Sequence, residues 1–290
     1  MVIVEISGGL GNQMFQYALG QKLISMGKEV KYDLSFYNER VQTLRKFELD
    51  IFHADCPEAS SSELCRFGRG NSLRSRLKQK FGCDKQKIYE EDLDLGYQPQ
   101  VFELDDIYLS GYWQSELYFK DIRKQILPIY RMPEGMPENS KKFLARITEG
   151  NSVSIHVRRG DYLSEENYRV YGGICTESYY ENAIAYMRKS LDHPKFYVFS
   201  NDSKWAKMQF KGRDMEVVEC SNNESSCFDM FFMSNCKANI VANSTFSWWG
   251  AWLNPSNEKI VIAPKKWFNN HEVNDITCES WVKMDSQGEI

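Results

Sequence analysis

The shortages in this sequence are more instructive than its excesses. Among 290 residues there are only four histidines, and none of the eight cysteines forms a C-x-x-C pair. The ligand spacing of a zinc site is therefore missing, and no zinc site is expected. A chain of this size needs no disulfide framework, so the cysteines are expected to be reduced and mostly buried. The 36 basic and 40 acidic residues leave a formal charge of only -4, so no global field selects nucleic acid. No run approaches the ~20 apolar residues that span a bilayer. The opening MVIVEISGGLGNQ has no basic segment ahead of an apolar one and does not read as a signal peptide. A cytoplasmic location is expected, with peripheral contact on the inner membrane face as an extension of it. The two common glycine signatures for nucleotides also fail. Gly8-Gly9-Leu10-Gly11-Asn12-Gln13 breaks the G-x-G-x-x-G spacing, and no Lys-Ser/Thr follows it.

What is present is a chain able to build a core. Hydrophobic residues make up 42% and charged residues 26%, an ordinary globular balance. The length suits one large domain or two small ones. Val2–Ile6 reads as a buried strand, the glycines that follow as a turn, and Leu10 onward as a helix. Phe15, Ala18, Leu19, Leu23 and Met26 lie on one face of it at 3.6 spacing, and Gly27 closes it. Glu29–Asp33 is then a second strand, completing a βαβ opening. Ile107–Tyr112 reads as a strand and Glu116–Leu127 as a helix. Between Cys56 and Gln100 the pattern weakens into a basic run (Arg66, Arg69, Arg74, Arg76, Lys78, Lys80) and an acidic run (Glu90 to Asp94). The Pro- and Gly-rich stretch 131–140 marks a linker, giving domains at 1–140 and 141–290.

The second half alternates cleanly. Strands are expected at Ser152–Val157, Lys195–Ser200, Met215–Cys220, Ala238–Ala242 and Lys259–Ala263, with helices between them, the best at Glu177–Leu191. Alternation of this kind argues for a parallel, doubly wound sheet. In such a sheet, ligands bind beyond the carboxyl ends of the strands. There the sequence delivers His156-Val-Arg158-Arg159-Gly-Asp161, then Ser200-Asn-Asp202, then Asn243-Ser244-Thr245-Phe-Ser247 ahead of a helix starting near Trp248. Arginines for a pyrophosphate, a carboxylate for a base edge, and hydroxyls at a helix start suit a nucleotide. Each has a plainer alternative. Arg158, Arg159 and Asp161 also fit a surface ion-pair loop, His156 a satisfied core histidine, and Asp202, Ser244 or Thr245 a helix cap. Trp248, Trp249 and Trp252 fit core. Asp92-Leu93-Asp94 has the form of a metal-holding D-x-D pair but fits a solvated face better. Convergence on one sheet edge is what favours function.

At these residues the chain resembles the bacterial α-1,2-fucosyltransferases, in the family that includes the animal enzymes making H-type antigens. The resemblance is carried by Gly8-Gly-Leu-Gly-Asn-Gln-Met-Phe-Gln-Tyr-Ala18, His156-Val-Arg-Arg-Gly-Asp-Tyr162, Asn243-Ser-Thr-Phe-Ser-Trp-Trp-Gly-Ala-Trp252 and, as a fourth, Phe199-Ser-Asn-Asp202. It implies an α/β fold of GT-B type, two Rossmann-like domains facing a cleft, the first holding the acceptor and the second GDP-fucose. It implies Arg158 on the β-phosphate, His156 and Asp202 near the guanosine, and Ser244, Thr245 and Ser247 at phosphate oxygens, with Arg159 supporting or pairing Asp161. The acceptor-side loop is Gly9, Gly11, Asn12 and Gln13, with Asn12 near the reaction centre. It further implies inversion, no metal or other cofactor, and a galactose-containing oligosaccharide or lipid-linked glycan as acceptor. Glu5 and Asp33 are weak candidates for a base. A different linkage, a nucleotide-sugar oxidoreductase or epimerase, and a non-catalytic glycan-binding protein remain as rivals. The basic run 66–80 faces either an anionic lipid surface or the acidic run.

Overall fold

The computed structural model describes residues 1–38, 45–52, 54–69, 87–131, 135–219 and 226–290. The chain divides into two compact units, Met1–Arg131 and Met132–Ile290. A boundary at 140 would cut a helix, Glu138–Glu149. Its polar first turn reads as loop. Its Phe143, however, packs edge-on against Tyr197 and Phe232, with centroids 5.4 and 4.8 Å away. The whole helix therefore belongs to the second unit.

In the first unit four strands lie in the order β2-β1-β4-β3: β1 Val2–Glu5, β2 Val30–Asp33, β3 Ile88–Glu90 and β4 Ile107–Ser110. Every pair is parallel, with Val2 opposite both Val30 and Ile107. Val2, Ile3 and Val4 are almost wholly buried, as a central parallel strand covered on both faces requires. The helix Leu10–Ser25 is buried nearly all round rather than on one stripe; Gln13 and Gln16 are as buried as Phe15. Met26 lies past its end and is 45% exposed. Gly27, at φ +84°, turns the chain out. Its N–H donates to Ile24 O and that of Lys28 to Leu23 O, which satisfies the last carbonyls. Gly20 is a close approach: a Cβ there would lie 2.3 Å from Tyr32 Oη. The helix expected at Glu116–Leu127 is instead two short 3₁₀ turns and a helix, Arg123–Ile129. Phe119 breaks it, with an extended φ of -149° and its ring buried 5.9 Å from that of Phe15. Strand β3 was hidden in the weakly patterned region.

The second unit carries six parallel strands in the order β10-β9-β8-β5-β6-β7. They are β5 Ser152–Val157, β6 Lys195–Ser200, β7 Met215–Val217, β8 Ala238–Ile240, β9 Ile260–Pro264 and β10 Val282–Met284. All six residues of β5 are buried. The helix Glu177–Ser190 is capped by Thr176, which accepts the Tyr179 N–H at 3.1 Å, and its stripe Tyr179, Tyr180, Ala183, Ile184 and Met187 covers the sheet. The helix expected near Trp248 starts at Thr245 and ends at Trp252. Trp248, Trp249 and Trp252 are core, and Trp248 Nε1 donates to Ile276 O at 2.6 Å.

These strand orders place two crevices. The chain runs from β5 through β6 to β7 on one side, then crosses to β8 on the other side of β5. In the first unit it runs from β1 to β2 at one edge, then crosses to β3 at the other edge and returns to β4 beside β1. Neighbouring crossovers leave on opposite faces at such points, and the carboxyl ends of the two central strands open between them.

Candidate active site

In the second unit the predicted residues gather at the β5–β8 switch point. Arg158 and Arg159 follow directly on β5. Asp161 Oδ2 accepts from Arg158 Nη2 at 2.6 Å. The Arg158 guanidinium lies 5.8 Å from the centroid of the Tyr162 ring. That ring stacks on Tyr171 at 4.7 Å and 16°, and its hydroxyl donates to Asn243 O at 2.9 Å. Asn243, on the β8 side, donates in turn to Tyr171 O and Trp267 O. Tyr162 and Asn243 thus bind the arginine loop to the loop that starts the Thr245–Trp252 helix. Both lie inside the sequence motifs, and nothing in their residue types alone distinguishes them from packing.

Arg159 lies over the Trp205 ring at 4.6 Å and 3.5 Å from Asp202 Oδ2. Asn201 Oδ1 accepts the Arg159 and Gly160 N–H groups at 2.9 and 3.2 Å. A Cβ on Gly160 would come within 2.7 Å of Asn201 Nδ2, so a side chain there would displace the Asn201 carboxamide. Asp202 is indeed a helix cap, accepting the Trp205 N–H at 3.0 Å. Its other oxygen faces Arg159. Asp202 is thus the cap that its position suggests, and its second oxygen is paired with Arg159. Arg159 pairs with Asp202, and Asp161 is taken by Arg158.

His156 is 4% exposed, and its Nδ1 has no partner among the described residues. Its ring lies 5.6 Å from that of Phe246. Burial, helped by the Arg158 charge, pushes its pKa down to about 3, so the ring is neutral near pH 7. Ser244 caps the Thr245–Trp252 helix by position but makes no side-chain cap bond. Thr245 is part-exposed at the helix start. Ser247 is 1% exposed, with its hydroxyl against the carbonyls of Ala242 and Ser244. That geometry builds the turn and does not present Ser247 to a phosphate.

The first unit assembles a different edge at the β1–β4 switch point. Gly8, at φ +76°, is the glycine whose conformation matters; Gly9 is extended and Gly11 helical. Asn12 sits in the first helical turn, part-exposed, and its Oδ1 accepts from Gln114 Nε2 at 3.0 Å. Gln13 is fully buried. It donates to Gly8 O and Lys46 O and accepts the Glu48 N–H, so it fastens the loop and is no open contact. Gln16, whose residue type carries no sign of a role, ties the ends of the two central strands together: it accepts from Ser7 N and donates to Gly111 O. Glu5 accepts from Ser110 Oγ at 2.5 Å. Asp33 is 3% exposed and held by Tyr108 Oη and Ser35 N, which leaves it no open face for a base.

Asp92 caps a 3₁₀ turn by accepting the Asp94 N–H at 3.0 Å. Among the described residues no group of His, Cys, Asp or Glu could hold a metal ion. Of the basic run, Arg66 pairs with Asp106 at 2.6 Å and Arg69 lies 4.8 Å from the Tyr108 ring. Arg74, Arg76, Lys78 and Lys80 lie outside the described residues. Among the described cysteines, Cys236 and Cys278 are buried and Cys56, Cys65 and Cys175 half-buried, all as free thiols. No described helix is long and apolar enough to cross a membrane.

Comparison with known proteins identifies the family. The model of Glycosyl transferase family 11 matches residues 90–285. An α-1,2-colitosyltransferase of Escherichia coli is 33% identical over 98% of this chain and 99% of its own length. A galactoside α-(1,2)-fucosyltransferase 1 of Leontopithecus chrysomelas is 26% identical over 85% of this chain and 63% of its own length. Among solved structures, NodZ α-1,6-fucosyltransferase soaked with GDP-fucose matches with a TM-score of 0.42 and 15% identity, over 88% of this chain and 92% of that one.

Proposed function

Because the chain belongs to glycosyl transferase family 11 and is a glycosyltransferase, we propose that it moves L-fucose from GDP-β-L-fucose to the 2-hydroxyl of a galactoside, with inversion and without a metal. The observation that carries this reading is the β5–β8 switch point. It offers a guanidinium fork, a second arginine held on Trp205, and a helix start with no side-chain cap, all on neighbouring loops. Such a set suits a diphosphate.

In the reaction the C1–O bond of fucose breaks and its electron pair goes to the β-phosphate oxygen of GDP. Arg158 meets that charge. The acceptor oxygen attacks C1 from the other face, forms the new bond and gives up its proton, so a β donor yields an α product. Neutral His156 adds no positive charge beside Arg158, and Asp202 takes the edge of the guanine. In the first unit Asn12 touches the reacting sugar. The acceptor is a galactose-containing oligosaccharide or lipid-linked glycan, and the basic run 66–80 draws the enzyme to the anionic inner membrane face.

The test is incubation with GDP-fucose and a panel of galactosides, with product linkage and anomeric configuration read by NMR. An α-1,2-fucoside is expected; a β product, or none from any galactoside, would overturn the reading. A second donor is favoured by the likeness to a colitosyltransferase, since colitose is L-fucose without its 3-hydroxyl. Competition between the two sugar nucleotides in the same assay separates them.

A further inference from the structure

The turn after β4, Gly111–Ser115, concentrates three irregularities in two adjacent residues. Trp113 is fully buried yet holds φ +57°, the left-handed region that a bulky residue avoids. Its indole Nε1 and the neighbouring Gln114 Oε1 are buried without hydrogen-bond partners among the described residues. Strain and unmet polar groups of this kind persist only where the surroundings enforce them.

Glu91 does the enforcing. Its carboxylate accepts from the Tyr112 N–H at 2.6 Å and from the Trp113 N–H at 3.0 Å. Gly111 permits that approach, since a Cβ there would meet Glu91 Cβ at 2.4 Å. The result is a rigid placement of Gln114, whose Nε2 lies 3.0 Å from Asn12 Oδ1. The other end of the Asn12 carboxamide, Nδ2, lies against Gly8, where an added Cβ would come within 2.8 Å. One end of the Asn12 amide is thus held by a donor and the other rests on a bare glycine.

We propose that Gln114 is a positioning residue that fixes which way the Asn12 carboxamide faces, so that Nδ2 is the donor presented to a sugar oxygen at the reaction centre. This rests on the reading that Asn12 touches the reacting sugar. A carboxamide turned by half a rotation offers an acceptor where a donor is required, and two lone pairs then face each other. The hold of Glu91 on the Tyr112 and Trp113 N–H groups fixes the backbone from which Gln114 reaches Asn12.

The test is Gln114→Glu. The side chain keeps its length and shape, but a carboxylate cannot donate to Asn12 Oδ1 and attracts Nδ2 instead, turning the amide round. We expect kcat to fall ~10²-fold, the scale of one lost preorganised donor, with the donor KM and GDP affinity within about twofold of the parent, as for an interaction made only in the transition state. Gln114→Met, which releases the amide without reversing it, falls less, by ~3–10-fold on the scale of one neutral hydrogen bond. Asn12→Ala combined with Gln114→Glu should be no slower than Asn12→Ala alone, because Gln114 acts through Asn12. Near-normal kcat in both Gln114 variants, beside an inactive Asn12→Ala, would overturn the proposal and leave the reading of Asn12 standing. Losses that multiply in the combined variant would also overturn it. A fully active Asn12→Ala would overturn the reading beneath it and the proposal with it.

Discussion

The two switch points share a geometry and differ in chemistry. Each opens beside a central parallel strand whose chain reverses direction across the sheet. The second unit fills its crevice with charge: Arg158 on Asp161, Arg159 between Trp205 and Asp202. The first lines its own mainly with amides and glycine, Asn12, Gln13, Gln16 and Gln114 around Gly8, and its carboxylates Glu5 and Glu91 accept from Ser110 Oγ and from the Tyr112 and Trp113 N–H groups. The contrast matches the two halves of a transfer between a diphosphate ester and an alcohol. A leaving diphosphate needs fixed positive charge, and fixed charge needs partners to hold it still. An incoming hydroxyl is neutral, and hydrogen bonds of set direction suffice to place it.

That comparison can be broken at several points. The largest effect is expected at Arg158. Arg158→Ala should lower kcat by ~10²–10³ by analogy with loss of one oxyanion donor, with the thermal midpoint little changed; a loss below tenfold, at saturating donor, would move the charge-handling role elsewhere. A smaller effect separates the two duties of Asp202. Asp202→Asn keeps an oxygen for the Trp205 N–H and loses only charge, so GDP affinity by calorimetry should fall about tenfold, on the scale of a charged hydrogen bond, at unchanged stability. Asp202→Ala should lose about 1 kcal/mol of stability as well, the worth of an N-cap. Equal GDP affinity in both variants and the parent would reduce Asp202 to a cap.

The next effect is on pH. His156 titrates near 3 in the folded chain against 6.5 unperturbed. Between those values the unfolded chain holds the extra proton, so stability from this residue is complete above about 6.5 and is lost as pH falls toward 3. Urea unfolding from pH 7 to 4 should show less acid destabilisation in His156→Gln than in the parent. An unchanged slope would mean that the ring is solvated. The smallest effect is none at all: EDTA should leave turnover unaltered, and activity that vanished and returned with Mn²⁺ or Mg²⁺ would transfer Arg158's role to a metal.

Much of the second unit was legible because a parallel sheet writes itself as apolar runs bounded by polar loops. Ser152–Val157 and Lys195–Ser200 match their expected bounds, and the loops at their ends carry the residues that gather. The Thr245–Trp252 helix was set three residues late, since Thr-Phe-Ser reads as loop until the uncapped start is seen. In the first unit the three-residue strand β3 has too few residues for a period to show. The resemblance puts Gln13 in the acceptor-side loop and Ser247 at a phosphate, yet Gln13 bonds to the backbone of Gly8, Lys46 and Glu48, and Ser247 to the carbonyls of Ala242 and Ser244. The Gly111–Ser115 turn escaped because a left-handed tryptophan has no sequence signature; only the glycine ahead of it hinted at close approach.

The most direct single measurement is the single-turnover rate of Arg158→Lys at saturating GDP-fucose with EDTA present. Lysine keeps the charge and loses the planar fork that grips two phosphate oxygens and pairs with Asp161. A rate at least ~10-fold below the parent is expected, in the range set by loss of one preorganised contact, with GDP still bound. A lysine variant as fast as the parent would contradict it.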